Sequence, residues 1–427
     1  MSRPAPGEFL ISRFSALRHR NFRLFWSGQL ISLVGTWMQS VAQGWLMHRL
    51  TSSALMLGIL GFAQFLPVMF LSLYAGVAAD RMDKRRLILI TQSAALVQAA
   101  LLATVVTLGI VQPWMVLALA FVFGIINSFD LPARQSFLVE MVGKEHLPNA
   151  IALNSAGFNI ARVFGPAVAG VIMATAGEGA CFWLNALSYL AVIVMLLRMD
   201  LAPYVADDGR KGTLSTLREG VSYALESRPI RNLLMLLGLI AGLGFQYMVL
   251  LPVYARDILH ASEKGYGLMV SAFGLGSLFS AVLMTRQQDR PTLRRNLLIG
   301  LLSAGVGMGV FAWSRSLPLT LAMGFAAGFG LILYVYVAST NTLLQLTTED
   351  RFRGRIMSLY TFMFIGTAPI GALMCGGIAQ RWSAPVATSV SAAVLLAGAL
   401  WVSYRLRVLA ARAAARSEVP AFTEKLG

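Results

Sequence analysis

Apolar residues along this chain gather into long, almost uncharged runs, and each run ends at a short break of Pro, Gly or charge. Twelve runs can be traced, at about 22–47, 54–79, 87–110, 114–138, 149–175, 180–198, 231–255, 266–285, 296–313, 318–344, 355–380 and 385–404. A helix needs roughly 20 apolar residues to cross the hydrocarbon core of a bilayer, and these runs have about that length. The pattern predicts an all-α polytopic membrane protein of twelve transmembrane helices, with boundaries where turn residues and charge fall.

The break between the sixth and seventh runs is the longest. Leu214, Leu217, Val221 and Leu225 recur there at helical spacing beside Arg218, Glu219 and Arg228, which predicts a short amphipathic helix on a membrane surface. The chain thus divides into an N-terminal segment 1–21, a six-helix bundle 22–198, a linker 199–230, a second six-helix bundle 231–404 and a mobile basic tail 405–427. The two halves echo one another weakly. Phe123-Gly124-Ile125-Ile126 recurs as Phe329-Gly330-Leu331-Ile332, and Gly165-Pro166 as Ala368-Pro369, about half a chain apart. Parallel repeats of this kind are built into transporters that rock about a central site.

Composition removes the soluble alternatives. Of 427 residues 57% are hydrophobic and 13% charged, and the mean hydropathy is +0.69. A net charge of +16 suggests nucleic acid at first sight, but its placement does not. Of thirty-five Lys and Arg, five (Arg49, Arg256, Lys264, Arg315, Arg381) fall in one set of alternate loops and Arg162 falls inside a run. The other twenty-nine lie in the termini and the remaining loops, which places both termini in the cytoplasm. No nucleic-acid partner is expected. Met1 to Phe22 has no leading apolar core, so the first run is read as directing insertion. Cys181 and Cys375 lie far apart in apolar runs, and neither a disulfide framework, a metal site nor a cofactor is implied.

The densest charge between two runs is Gly76-Val77-Ala78-Ala79-Asp80-Arg81-Met82-Asp83-Lys84-Arg85-Arg86. Such a hinge must sit at a membrane surface, and its basic residues select the cytoplasmic one. Gly76 is expected to let another helix approach closely, and Asp80 to accept hydrogen bonds at a neighbouring helix end. The bland reading is a positive-inside loop and nothing more. The stretch, however, resembles the signature loop between helices 2 and 3 of the major facilitator superfamily, G-x-x-x-D-R-x-G-R-R/K, with Asp83 in place of the second Gly. The resemblance implies the major facilitator fold of two pseudo-symmetric six-helix bundles, a monomer, and a conformational role for Gly76, Asp80, Arg81, Lys84 and Arg85. Arg134, at the inner end of span 4, is expected to pair with Asp80 as a gate of the outward-open state.

Candidate polar sites follow the spans. In span 1, Gln29, Ser32, Thr36, Gln39 and Gln43 share one helical face, which reads either as the wall of a water-filled cavity or as glue between helices. Span 4 carries Asn127, Asp130 and Arg134 on one face, and Asp130 is the one acidic residue placed well inside a run. It is therefore the default proton-coupling carboxylate, or else a static partner of Arg134 or Arg162. Span 5 holds Ala161-Arg162-Val163-Phe164-Gly165-Pro166-Ala167-Val168-Ala169-Gly170, similar to the G-x-x-x-G-P-x-x-G-G pattern of helix 5 in proton-coupled exporters of that superfamily, with Ala161 and Ala169 in place of two of its glycines. Gly165, Pro166 and Gly170 make a bend or a tight crossing there. Arg162, with Asn159 on its face, is expected to pair with Asp130 or to hold an anionic substrate group. The second half offers Gln246, Tyr247 and Tyr336 as substrate contacts in a mostly apolar, aromatic interior.

No Walker-type loop, His-Glu-x-x-His or Cys/His cluster is present, so an enzyme is not expected. Phe22-Arg23-Leu24-Phe25-Trp26, Gly35-Thr36-Trp37, Thr51-Ser52-Ser53-Ala54 and Pro67 resemble the enterobactin-exporter and macrolide-efflux branch of the superfamily. That resemblance implies alternating-access export of a siderophore or drug-like small molecule by proton antiport. The alternatives are a lipid flippase of the same fold, moving lysophospholipid, and a non-transporting membrane sensor. Protons, a small-molecule substrate and membrane lipid are the expected partners.

Overall fold

In hydrocarbon a backbone must satisfy its own N–H and C=O groups, and a helix does so within one segment. A computed structural model of the chain describes residues 15–200, 213–244, 246–283, 290–331, 336–349 and 352–417, and over these the backbone is nearly all helical. Seven helical stretches are each long and apolar enough to cross a membrane. We number the helices α1 (Arg20–Thr51), α2 (Ala54–Arg81) and α3 (Lys84–Thr107), then α4 to α6 within the 85-residue stretch Pro113–Leu197. That stretch turns at Gly143 (φ 71°) and Gly177 (φ 78°), a left-handed conformation open to Gly at little cost. The turns leave α4 at 113–142, α5 at 144–176 and α6 at 178–197. The loop expected around 139–148 is thus almost wholly helical.

After the linker helix α7 (Thr213–Glu226), α8 covers Arg228–Ile258 and is interrupted by π-turns at Ile240–Gly244 and Tyr254–Ile258. There follow α9 (Glu263–Leu283), α10 (Arg290–Trp313), α11 (Leu317–Leu331), α12 (Tyr336–Thr347), α13 (Arg353–Ile365), α14 (Ala368–Arg381) and α15 (Ala384–Ser417). The tail was expected to be mobile from 405, yet α15 continues to Ser417, through Ala-rich sequence with high helix propensity. The degenerate second signature loop, 284–289, lies outside the described residues. Tyr223 of α7 stacks on Phe352 (4.1 Å), and Glu219 meets Arg355 at 2.6 Å, so the predicted linker helix docks on the start of α13. Its Val221 and Leu225 stay exposed.

Contacts sort the helix ends into two faces. On the basic face Asn149 accepts from the Ala16 amide, Lys84 lies 2.6 Å from Glu140, and Arg85 donates to the Leu197 carbonyl. Asp83, where the superfamily pattern has Gly, caps α3 by accepting from the Arg86 amide at 3.2 Å. On the far face the two halves of the chain close on each other. A Cβ on Gly58 of α2 would lie 2.7 Å from the Ala372 carbonyl oxygen of α14, and one on Gly376 equally near that of Ala54. Gly170 of α5 and Gly267 of α9 make a matching crossing, with would-be Cβ atoms 2.7 and 2.5 Å from the carbonyl oxygens of Glu263 and Pro166. Trp45 stacks on Tyr266 nearby (5.3 Å), and Ser53, which caps α2, also donates to Gln380.

Gly76 behaves otherwise. A Cβ there would meet nothing within 4 Å, so the close helix approach expected at this glycine is absent in this conformation. The reason is geometric: α2 presses on α14 at its far end, and its basic end stands clear. The buried core follows suit. One cluster runs across both halves, from Met38 and Trp45 to Phe311 and Leu395, whereas Phe22, Phe25, Ile88 and Phe137 form a separate cluster within the first half. Large apolar side chains such as Phe70, Tyr74, Phe164 and Leu400 are left exposed, as lipid-facing surface requires.

Candidate functional site

Asp130 is buried between α3 and α4, where hydrocarbon would make a lone carboxylate costly. Three donors offset that cost. Thr91 Oγ1 and Gln92 Nε2 of α3 both donate to Oδ1, at 2.7 and 2.9 Å. Arg134, one turn further along α4, forms an ion pair with Oδ2. The two carboxylate oxygens therefore do different jobs. Oδ1 is anchored to a neighbouring helix by neutral groups, and Oδ2 carries the charge pair. A proton landing on Oδ2 would neutralise the carboxylate, so that the ion pair with Arg134 is lost while the anchoring bonds to Oδ1 stay in place.

This arrangement revises two sequence expectations. Arg134 takes Asp130 as its partner in this conformation, because a spacing of four on one helix brings the two side chains together without any movement of helices. The expected Asp80–Arg134 gate belongs to the outward-open state, and the side chains of Asp80 and Arg81 lie outside the described residues. Arg162 belongs elsewhere too. It is buried on α5 where α9 crosses, with its own carbonyl oxygen 2.9 Å from a would-be Cβ on Gly274, and it lies within electrostatic reach of the Tyr247 hydroxyl of α8. The described partners of Asp130 are Thr91, Gln92 and Arg134, so the expected Asp130–Arg162 contact gives way to these.

The polar face of span 1 splits between two environments. Gln39 donates to Gln98 of α3 (3.2 Å) and accepts from Asn185 of α6 (2.8 Å), while Thr36 bonds the Tyr189 hydroxyl (3.2 Å). Gln43 reaches the Val116 carbonyl of α4. These bonds stitch four helices of the first half together, the glue reading of the stripe. Gln29 and Ser32 are buried too, and Gln29 Oε1 has no hydrogen-bond partner. Asn127 is partly buried on α4, and Asn159 donates to the Ser155 carbonyl of its own helix. Thr91, Gln92, Gln98, Asn185 and Tyr189 were not singled out in the sequence, although their spacings of one, four and seven residues along spans 3 and 6 carry the same stripe signal as span 1.

In the second half, Gln246 Nε2 donates to the Ala241 carbonyl and so satisfies an acceptor at the π-turn Ile240–Gly244, where Gly371 of α14 packs on Gly242. Such turns recur at functional sites. Tyr247 is fully buried, stacks on Phe273 (4.4 Å), and has a hydroxyl with no hydrogen-bond partner. Phe273 meets Phe311 (5.6 Å), which meets Tyr254 (4.7 Å), a column of rings through the second half. The Tyr336 side chain lies outside the described residues. In span 5, Gly165 packs on α1 (a Cβ would lie 2.6 Å from Trp37 Cβ), while Pro166 and Gly170 meet α9. Of the bend or tight crossing expected there, the crossing is what forms.

Residues 11–426 match the family described as transmembrane secretion effector. The chain belongs to that family, within the major facilitator superfamily. It is 24% identical over 82% of its length to the staphyloferrin A transporter of Staphylococcus aureus, covering 88% of that protein. It is 28% identical over 81% of its length to the multidrug efflux pump Tap of Mycolicibacterium fortuitum, covering 86%. With the enterobactin exporter EntS of Citrobacter koseri it shares 25% identity over 87% of its length, covering 88% of that protein. Among solved structures, the nucleoside transporter NupG superposes with a TM-score of 0.67 at 12% identity, over 91% of this chain and 98% of that one. A bacterial homologue of the iron transporter ferroportin, in an inward-facing state, gives 0.68 at 17% identity, over 90% and 98%. Both likenesses establish the fold. The protein is an integral membrane transporter of this superfamily.

Proposed function

We propose that the protein exports a small amphipathic molecule, siderophore or drug-like, across a bacterial inner membrane by alternating access coupled to proton antiport. The observation that carries the coupling is Asp130, a buried carboxylate with one oxygen anchored by Thr91 and Gln92 and the other paired with Arg134. In this reading twelve spans form two six-helix halves, and the basic face is cytoplasmic with both termini on it. The seal on the far face, at Gly58/Gly376 and Gly170/Gly267, makes this the conformation open toward the cytoplasm. Substrate enters between the halves, against the ring column of the second half, with Arg162 and Tyr247 as its polar contacts. Proton arrival at Oδ2 of Asp130 releases Arg134, which stands at the level of Asp80 on α2 and engages it when the far face opens. Support for export comes from relatives whose names describe an enterobactin exporter and a multidrug efflux pump.

Transport in proteoliposomes with an imposed pH gradient tests this, using cationic dyes, macrolides, catecholate siderophores and lysolipids with the native chain and Asp130→Asn. Gradient-driven movement of a non-lipid, lost in Asp130→Asn while binding persists, is the expected result. Full transport by Asp130→Asn would remove the coupling site. Movement of lysolipid alone, indifferent to pH, would make the protein a flippase.

A further inference from the structure

Histidines in this chain fall at the ends of runs, and nothing in the sequence marks one of them as functional. The structure singles out His48. It lies in the last turn of α1 at the sealed far face and is 1% exposed. Its Nε2 is 2.8 Å from Oδ2 of Asp257, which the π-turn Tyr254–Ile258 projects from the other half of the chain, 209 residues away. The carboxylate is half exposed, and both residues line a cavity of about 390 Å³ bounded by Ser52, Gln380, Ser383 and Arg315. A route for protons from the far side therefore reaches the pair while the two halves remain closed below it.

We propose that His48 and Asp257 form a second proton-binding site, distinct from Asp130, whose occupancy holds the far face shut. With Nε2–H donated to Asp257, an added proton sits on Nδ1, a buried atom with no hydrogen-bond partner. What stabilises the resulting imidazolium is Asp257, across the interface. The other charged or titratable groups around the pair do not replace it. Arg315, on the cavity wall, has the wrong sign, as does Arg256 beside Asp257. Arg49, next along α1, is bonded to Glu178 at 2.7 Å, and the Tyr266 ring is committed to Trp45. Glu263 and Lys264, at the start of α9, meet Gly170 through backbone atoms and are not among the residues that line the cavity.

The proton affinity of His48 thus depends on the halves being together. By linkage, closure of the far face must then depend on pH, and the dependence has one sign. Acid on the far side stabilises the seal; loss of the proton leaves a neutral hydrogen bond in place of the ion pair. The site uses residues that the coupling at Asp130 does not.

Spin labels at Trp114→Cys and Trp382→Cys, both exposed at the far face and one on each half, read the separation directly in the full chain with Cys181 and Cys375 replaced by Ala. Between about pH 5.5 and pH 8.5, spanning ordinary imidazole titration, the native pair should gain a longer-distance population at least threefold. His48→Gln and Asp257→Asn should each give one distribution at both pH values. Asp130→Asn, which removes a proton that favours the open far face, should shift the population at each pH, but the rise of the longer-distance population with pH should remain, which separates this site from the coupling carboxylate. A native distribution that ignores pH overturns the proposal. So does a response that survives in both His48→Gln and Asp257→Asn, or one lost only in Asp130→Asn.

Discussion

The two halves of the chain bury different chemistry around the same axis. The first half is stitched by amides and hydroxyls: Gln39, Gln98, Asn185, Tyr189 and Thr36 in one network, Asp130 with Thr91, Gln92 and Arg134 in another. The second half stacks rings, Tyr247 on Phe273, then Phe311 and Tyr254. Hydrogen bonds in a low-dielectric interior are directional, so the first half holds a charge at a fixed place. Ring faces impose far less geometry and suit amphipathic ligands of varied outline. In the function proposed above, coupling falls to the first half and accommodation of substrate to the second.

Five substitutions test that contrast. The largest effect is expected at Asp130→Asn, which keeps the shape and the acceptor for Thr91 but removes the charge held by Arg134; pH-driven transport should fall below a tenth of native. Next is the pair of glycines on α2. Gly58→Leu puts four carbons where a single Cβ is already too close to Ala372, so maleimide labelling of the interior from the far side should rise several-fold. Gly76→Leu enters open space and should leave that labelling unchanged. Equal effects of the two would contradict the one-sided seal. Phe311→Ala, which empties the centre of the ring column, should cost about 3 kcal/mol in thermal unfolding of the solubilised protein and broaden or lower substrate binding without altering its pH dependence. Asn185→Ala should cost only about 1 kcal/mol, since polar contacts between membrane helices are individually modest, and should leave substrate affinity as it was. If Asn185→Ala altered affinity strongly, the span 1 stripe would belong to the substrate cavity after all.

Several features were legible without coordinates because they rest on local rules. Run length and charge set the helices, so limits such as Ala54 and Leu283 fall within a few residues of expectation. The amphipathic linker formed the helix its spacing implied, docked through Tyr223 rather than through Val221 and Leu225. The Gly165-Pro166 motif made a crossing, although nothing local says which helices it would touch. Asp130 stood out because an acidic residue in an apolar run is rare.

Legible before any tertiary contact were therefore the membrane class, the helices and the buried charges Asp130 and Arg162, all consequences of burying apolar length in lipid. The tertiary structure alone decided the pairings. Asp130 went to Arg134, Thr91 and Gln92 rather than to Arg162; Gly58 became the tight contact of α2 and Gly76 the loose one; His48 met a carboxylate 209 residues away. Those choices depend on which helix faces lie opposite one another in one particular arrangement of the two halves. No periodicity along a single helix encodes that.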